Sequence, residues 1–459
     1  PTGTIPPDPN PPAPGPDDWF MLMATPDRFS NESIIDMSYL LDETAGEHGP
    51  LTRVDDEVRF ADGTPVKFWG INASPVETLE GMQAQARFYA KHGINLVRYG
   101  VPASLEGSNG NYYLDPEGLD RLDRWFSVLK EHGIYMTWSV LYTHVIEEDW
   151  NVVPPEMFAE LPGGNTYGMA TFVEEYQTSQ FIKAMLLLNH VNPYTGLRYA
   201  DDPALAVVEM RNEDSVFFTN PLGAELIYGP GRPLHRARLR QMWHQWVSDN
   251  YANDAELAAA WGAGMRPNDS VDADPATQPM EMYPAYEMFA DGAGAETARM
   301  GDFIRFLAEM QRESYETHHD RLRTLGYDGV IVSTAWQAGG LAANAANLWT
   351  DDAMDAIDRH NYFGGGAGGH NITTGEVYNE THLDQAGRGL ISTGLWQVED
   401  KPFTLSEWTQ KPPNQWKAEA APLVAFYGMG LQGWDASYQF AGSRAYMGNG
   451  WPEMRSYVT

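Results

Sequence analysis

Two stretches of the chain bring a glutamate to the end of an apolar run. Val-Val-Glu-Met-Arg-Asn-Glu closes one run with Asn212 and Glu213, and Thr-Leu-Ser-Glu-Trp closes another with Glu407. A single glutamate so placed reads equally as a surface charge or half of an internal ion pair. Two of them at strand tips, facing each other across a barrel mouth, suit glycosidic bond cleavage. One protonates the leaving oxygen and the other attacks the anomeric carbon; a separation of about 5 Å gives retention, and a wider one admits a water and gives inversion. Other chemistries lack their residues. The sequence has no cysteine, which removes disulfides, thiolate metal ligands and thiol nucleophiles. It has no HExxH, no Walker loop, no GxSxG and no dinucleotide fingerprint.

The elements that must position these glutamates alternate. Apolar runs at Val66–Asn72, Ile94–Val101, Ile134–Leu141, Leu205–Met210, Gly329–Ser333, Met354–His360, Phe403–Glu407 and Leu431–Tyr438 read as strands. Helical patterns such as Leu79–His92, Leu119–His132, Phe303–Leu325 and Lys417–Met429 lie between them. Eight strand–helix units predict an α/β fold, a closed (β/α)8 TIM barrel. Asp62-Gly63 predicts a tight turn in a short N-terminal β-hairpin ahead of it. Long connections at residues 142–180 and 211–328 follow the third and fourth strands, and such loops build the catalytic face of a barrel. Residues 1–18 hold eight prolines and read as a linker or disordered tail, leaving 19–459 as the catalytic barrel. Further domains are expected beyond either terminus. Gly364–Gly369, with no lysine or helix start beside it, reads as a flexible lid.

With both glutamates at strand ends, the chain resembles the retaining glycoside hydrolases of clan A, in the style of families 5 and 42. The resemblance rests on Asn212-Glu213, Glu407, Arg98 in LVRYG, His360 and Tyr362 in RHNYF, and Trp434 in QGWDASYQF. The segment Trp246–Trp261 adds a likeness to family 42, and together these short motifs span residues 58–440. It implies Glu213 as acid/base and Glu407 as nucleophile, with no cofactor required. Arg98 would favour the ionised form of Glu407, or else neutralise Glu209 lower on the same strand as Glu213. Tyr362 would donate its hydroxyl to Glu407, and His360 would orient Tyr362 or Glu213 or touch substrate. Asn212 would hydrogen-bond the sugar 2-hydroxyl, and Trp434 would offer a flat apolar face or else pack in the core. His144 in LYTH, Trp336 and Trp408 are further substrate-binding candidates near strand ends.

Composition narrows the setting. Lys and Arg number 30 against 63 Asp and Glu, a net charge of −33, which repels phosphate backbones and anionic lipid and excludes nucleic-acid and membrane-surface roles. Lysine occurs only seven times, and an acidic, lysine-poor surface suits a marine or halophilic origin. No apolar run reaches the ~20 residues of a membrane span, and the chain is read as extracellular or periplasmic. Asp351-Asp352 and Glu147-Glu148-Asp149 lack the spacing of a calcium loop and read as solvated faces, so structural calcium has no support. The expectation is therefore a secreted, retaining, endo-acting hydrolase of a β-linked polysaccharide. Its rivals are an exo-acting β-galactosidase, told apart by product size, and a barrel that binds sugar without cleaving it, told apart by unchanged polymer.

Overall fold

The structure, a computed structural model, describes residues 35–101, 105–108, 111–142, 144–146, 152–217, 229–288, 294–369 and 374–441. The proline-rich 1–18 segment and Glu147-Glu148-Asp149 lie outside the described residues.

A hairpin of β1 (Leu51–Val54) and β2 (Glu57–Phe60) comes first. The barrel strands are β3 (Phe68–Asn72), β4 (Leu96–Gly100), β7 (Tyr135–Ser139), β8 (Leu205–Glu209), β9 (Val330–Val332), β10 (Ile357–Phe363), β11 (Phe403–Gln410) and β12 (Ala436–Gln439). A small antiparallel pair, β5 (Leu105–Ser108) and β6 (Asn111–Leu114), follows the second barrel strand. Parallel pairing runs β10-β11-β12-β3-β4-β7-β8-β9, so β12 meets β3 and closes most of the ring. Between β9 and β10 the ladder is replaced by two backbone bonds, Asp355 N to Ile331 O and His360 N to Ala335 O, both 3.0 Å. This is the expected (β/α)8 barrel. Its strands are covered on both faces, which is why they read as unbroken apolar runs rather than alternating ones.

Helices enter where the sequence supplies caps. The Thr78 hydroxyl accepts from Gly81 N at the start of α1 (Leu79–Lys91). The Asp115 carboxylate does the same for Glu117 N and Gly118 N ahead of α2 (Pro116–Lys130), with Pro116 in the first turn. The long excursion after β8 folds as α4 (Pro233–Asn250), α5 (Asp254–Trp261) and α6 (Thr297–Thr324), preceded by α3 (Glu174–Asn189) on the previous unit. Trp243 stacks on Trp246 and Trp261 at 5.5 and 6.0 Å and meets Phe303 and Phe306, so the Trp246–Trp261 segment is the packed core of that excursion.

Three local expectations change. The main hairpin ladder pairs Leu51–Val54 with Glu57–Phe60 around Asp55-Asp56, while Asp62-Gly63 supports only an isolated bridge from Arg59 to Pro65. The last strand begins at Ala436, not Leu431, because Leu423–Leu431 is wound as a π-helix and Gly433, with φ +79°, turns the chain after it. Asp351 is buried rather than solvated, paired with Arg359 at 2.8 Å. The hairpin seals the N-terminal end of the barrel: Phe60 packs on Phe68 and Tyr135, the first residues of β3 and β7, at 6.3 and 5.1 Å. The opposite, C-terminal end is left for the site.

Candidate active site

β8 ends at Glu209, but its chain continues over the barrel mouth on bonds borrowed from its neighbours. Met210 N donates to Val332 O at 3.0 Å, Asn212 N to Leu141 O at 3.3 Å and Glu213 N to Thr334 O at 2.8 Å. Held this way, Glu213 takes φ +42°, a left-handed conformation that a side-chain-bearing residue adopts at a cost. Glu407 lies within β11 and is almost wholly buried.

Arg98, 1% exposed on β4, is the hub. A guanidinium has five N–H groups and no acceptor, and five contacts meet them. Nε and Nη2 donate to Glu209 Oε2 at 3.1 and 2.6 Å, and Nη2 also donates to Asn212 Oδ1 at 2.8 Å. Nη1 donates to Asn72 Oδ1 at 2.9 Å and to Glu407 Oε1 at 2.6 Å. The two roles open for Arg98 in the sequence are therefore both filled at once. Tyr362 donates its hydroxyl to the other oxygen of Glu407, Oε2. His360 sits between the two glutamates: Nδ1 is 2.7 Å from Glu213 Oε1 and 3.5 Å from Glu407 Oε2, while Nε2 is 2.9 Å from Ser406 Oγ. One carboxylate oxygen of each glutamate and one nitrogen of His360 all lie within 4.8 Å of one another.

The electrostatics follow from burial. Desolvation opposes the charge on Arg98, but Glu209 and Glu407 outweigh it and hold the guanidinium charged. Burial raises Glu209 above the ordinary carboxylate range, and Arg98 offsets this only in part. For His360 burial works against a proton, yet Glu407 and Glu213 prevail and raise its pKa. Tyr362 is pushed up by burial and by the charge of Glu407, so its hydroxyl stays a donor. Three side chains of metal-ligand type converge here, but each oxygen of Glu407 already accepts from Arg98 or Tyr362 and both nitrogens of His360 are engaged. That pattern suits proton handling more than ion binding.

Sequence reading brought together Arg98, Asn212, Glu213, His360, Tyr362 and Glu407. It missed Asn72 and Ser406, whose signals were plain in hindsight: a polar residue ending the apolar run FWGIN, and the residue before Glu407. It also missed Tyr142, whose ring faces the Arg98 guanidinium at 5.8 Å and whose hydroxyl is pushed up to about 12 by burial and Glu407. Trp434 is a correction. It precedes β12, is fully buried, packs on Phe403 at 5.4 Å and fills the space where a Cβ on Gly428 would stand. The aromatic beyond that strand is instead Phe440, half-buried, its ring 6.0 Å from Tyr362 and edge-on. Trp408 is a second correction, 1% exposed and packed 6.1 Å from Trp69 in the core. Trp336 is half-buried just past β9, its carbonyl accepting from Asn347 Nδ2 at 3.0 Å. His144 is buried against Tyr167 at 4.9 Å, and burial lowers its pKa.

No family model matches the sequence, and no curated protein does. Solved structures match the fold. The chain is 11% identical to an endo-1,4-beta-mannanase from Rhizomucor miehei, with TM-score 0.50 over 86% of this chain and 92% of that one. It is 15% identical to a beta-galactosidase from Bacillus circulans sp. alkalophilus, with TM-score 0.54 over 82% of this chain but 50% of that one. A beta-galactosidase from the psychrophilic Marinomonas ef1 gives 15% identity and TM-score 0.52 over 81% and 54%. The chain thus spans about half the length of the two galactosidases. The likeness to clan A glycoside hydrolases read from short motifs holds at the level of the fold.

Proposed function

We propose that the chain is a retaining β-glycoside hydrolase in which Glu407 is the nucleophile and Glu213 the acid/base. The observation that carries this reading is the pair itself: two carboxylates, one on the chain just past β8 and one on β11, with oxygens within 4.8 Å. A retaining pair stands about 5–5.5 Å apart, whereas an inverting pair needs about 6.5–9.5 Å to seat a water. Arg98 and Tyr362 brace one oxygen each of Glu407 and aim the carboxylate. Glu407 attacks the anomeric carbon as Glu213 passes a proton to the leaving oxygen. Glu213 then takes a proton from water, which releases the sugar with retained configuration. Because Arg98 is donor-only, Asn212 must turn its amide oxygen toward it, and this leaves the NH2 group for the sugar 2-hydroxyl. Phe440, not Trp434, supplies the apolar ring face at the rim.

The substrate proposed is a β-linked polysaccharide cut internally, met outside the cytoplasm in an extracellular or periplasmic setting; among the described residues no helix is long and apolar enough to cross a membrane. The fold neighbour named as an endo-1,4-beta-mannanase makes β-mannan the first polymer to try. An exo-acting β-galactosidase is the second reading, favoured by the two neighbours of that name. The test is product analysis of wild type and Glu407→Ala on β-glucans, mannans, xylans and red-algal galactans. Cleavage of one polymer, lost by more than about a thousandfold in the mutant, is expected. Fragments of many lengths mark endo action, and a single small sugar marks exo action. A mutant as active as wild type would sink the mechanism.

A further inference from the structure

At the sealed end of the barrel, far from the two glutamates, one imidazole is surrounded by carboxylates from separate parts of the chain. His48 Nδ1 lies 2.8 Å from Asp62 Oδ2. A carboxylate only accepts, so Nδ1 carries the hydrogen, and an ion that takes the place of the second proton would meet the lone pair of Nε2. Nε2 points between Asp42 Oδ1 at 3.8 Å and Glu47 Oε1 at 3.7 Å. Both distances are too long for hydrogen bonds. They suit neighbouring ligands of one ion: bonds of about 2.0–2.2 Å in a tetrahedral site put ligand atoms roughly 3.3–3.6 Å apart. The three ligand atoms all fall within 4.8 Å of one another.

The surroundings are built as the outer shell of such a site. Tyr135, buried at the start of β7, donates its hydroxyl to the second oxygen of Asp42 at 2.7 Å. Asp62 holds the remote nitrogen of His48 and is itself held by Thr64 N at 2.8 Å. A carboxylate on the far nitrogen of a ligating histidine fixes its tautomer and raises its basicity. The loop cannot drift: a Cβ on Gly133 would stand 2.0 Å from Asp42 O, and Gly46, at φ +95°, turns the chain so that Glu47 returns to Asp42. Phe60 stacks on the His48 ring at 5.6 Å and packs on Tyr135 at 5.1 Å. Three carboxylates converge on this one imidazole, and a dication among them would offset their charge.

We propose that Asp42, Glu47 and His48 bind a divalent transition-metal ion of the zinc or manganese type, which staples the segment ahead of the hairpin to the base of the barrel. One nitrogen with two carboxylate oxygens selects such an ion over calcium or magnesium. Three protein ligands leave a fourth position for water, and the role is structural because the site lies at the end opposite the mouth.

The test uses the untagged full chain, stripped with chelator, dialysed and titrated with zinc chloride alone, then with manganese chloride, by calorimetry and by thermal unfolding. One equivalent is expected to bind and raise the Tm. Glu47→Gln should weaken that binding at least tenfold and remove the rise in Tm. Asp62→Asn, which keeps all three ligands, should weaken it about tenfold. Glu407→Ala should bind zinc as wild type does, which separates this site from the proposed catalysis. Absence of binding by both metals overturns the proposal, as does an affinity unchanged in Glu47→Gln; either result makes His48 an imidazole held by ion pairs alone.

Discussion

Tyr362 contributes one oxygen atom to the site, and that atom can be removed with little else disturbed. Its hydroxyl donates to Glu407 Oε2, leaving Arg98 to serve Oε1. Hydrogen bonds to charged groups are worth about 1.5–3 kcal/mol, so Tyr362→Phe should lower kcat/KM by roughly tenfold to a hundredfold. The Tm should hold, since the ring and its edge-on contact with Phe440 stay. A loss below threefold would mean that Arg98 alone aims Glu407. At this scale the sequence was most readable where a residue type admits few uses: a buried arginine must find acceptors, and LVRYG put one on a strand. It was least readable for the aromatics. Trp434 and Trp408 share their chemistry with any cleft tryptophan, and only the onset of β12 and the packing on Trp69 show that both are core.

Elements were legible wherever burial on both faces wrote a continuous apolar run, and all eight barrel strands were. The unforeseen pieces have specific causes. The helix expected over Lys417–Met429 runs on to Leu431 with its last part wound as a π-helix, in which Gly428 leaves room for the Trp434 ring. Gly364–Gly369, read as a free lid, is tied down by a bridge from Gly365 to Val377 and by Lys411, which donates to the carbonyls of Gly369 and Glu376. Helix α3 hides a different surprise. Lys183 is buried in it, where among the described residues its Nζ makes one long contact, to Val101 O at 3.4 Å, and burial lowers its pKa to about 8. A lysine lowered from its ordinary value binds its proton less tightly in the folded chain. Stability therefore rises as pH climbs from about 8 to about 10.4, and the full penalty is present at neutral pH. Lys183→Met should remove that penalty, on the order of 3 kcal/mol, raising the Tm at pH 7 by a few degrees and flattening the alkaline slope. Thermal scans at pH 7 and pH 10 decide it: an unchanged Tm at pH 7 would show that the ammonium is solvated in the folded state.

The described residues form a barrel with the hairpin at one end and the two glutamates at the other, in a chain of 63 acidic against 30 basic side chains. Its charge is the property for which sequence alone suffices, because a net of −33 exists however the chain folds. What salt does to the fold is a contest between two effects. Screening weakens exposed ion pairs such as Arg121–Glu77 and Arg305–Glu309, but such pairs are worth at most about 1 kcal/mol each. Screening also relieves the repulsion among acidic groups that have no cation to meet, and these outnumber the pairs that salt could break. At 10 mM ionic strength the Debye length is about 30 Å, comparable to the barrel itself, so the repulsion acts across the molecule; at 1 M it is about 3 Å and nearly vanishes. Repulsion should therefore dominate, and the Tm should climb by several degrees between 10 mM and 1 M sodium chloride, most of it below about 0.3 M, where screening changes fastest. Chloride is the right anion for the scan, since sulfate stabilises by exclusion whatever the charge. A Tm that falls with salt would show that the ion pairs outweigh the excess charge, and would remove the physical basis for reading the acidic surface as an adaptation to brine.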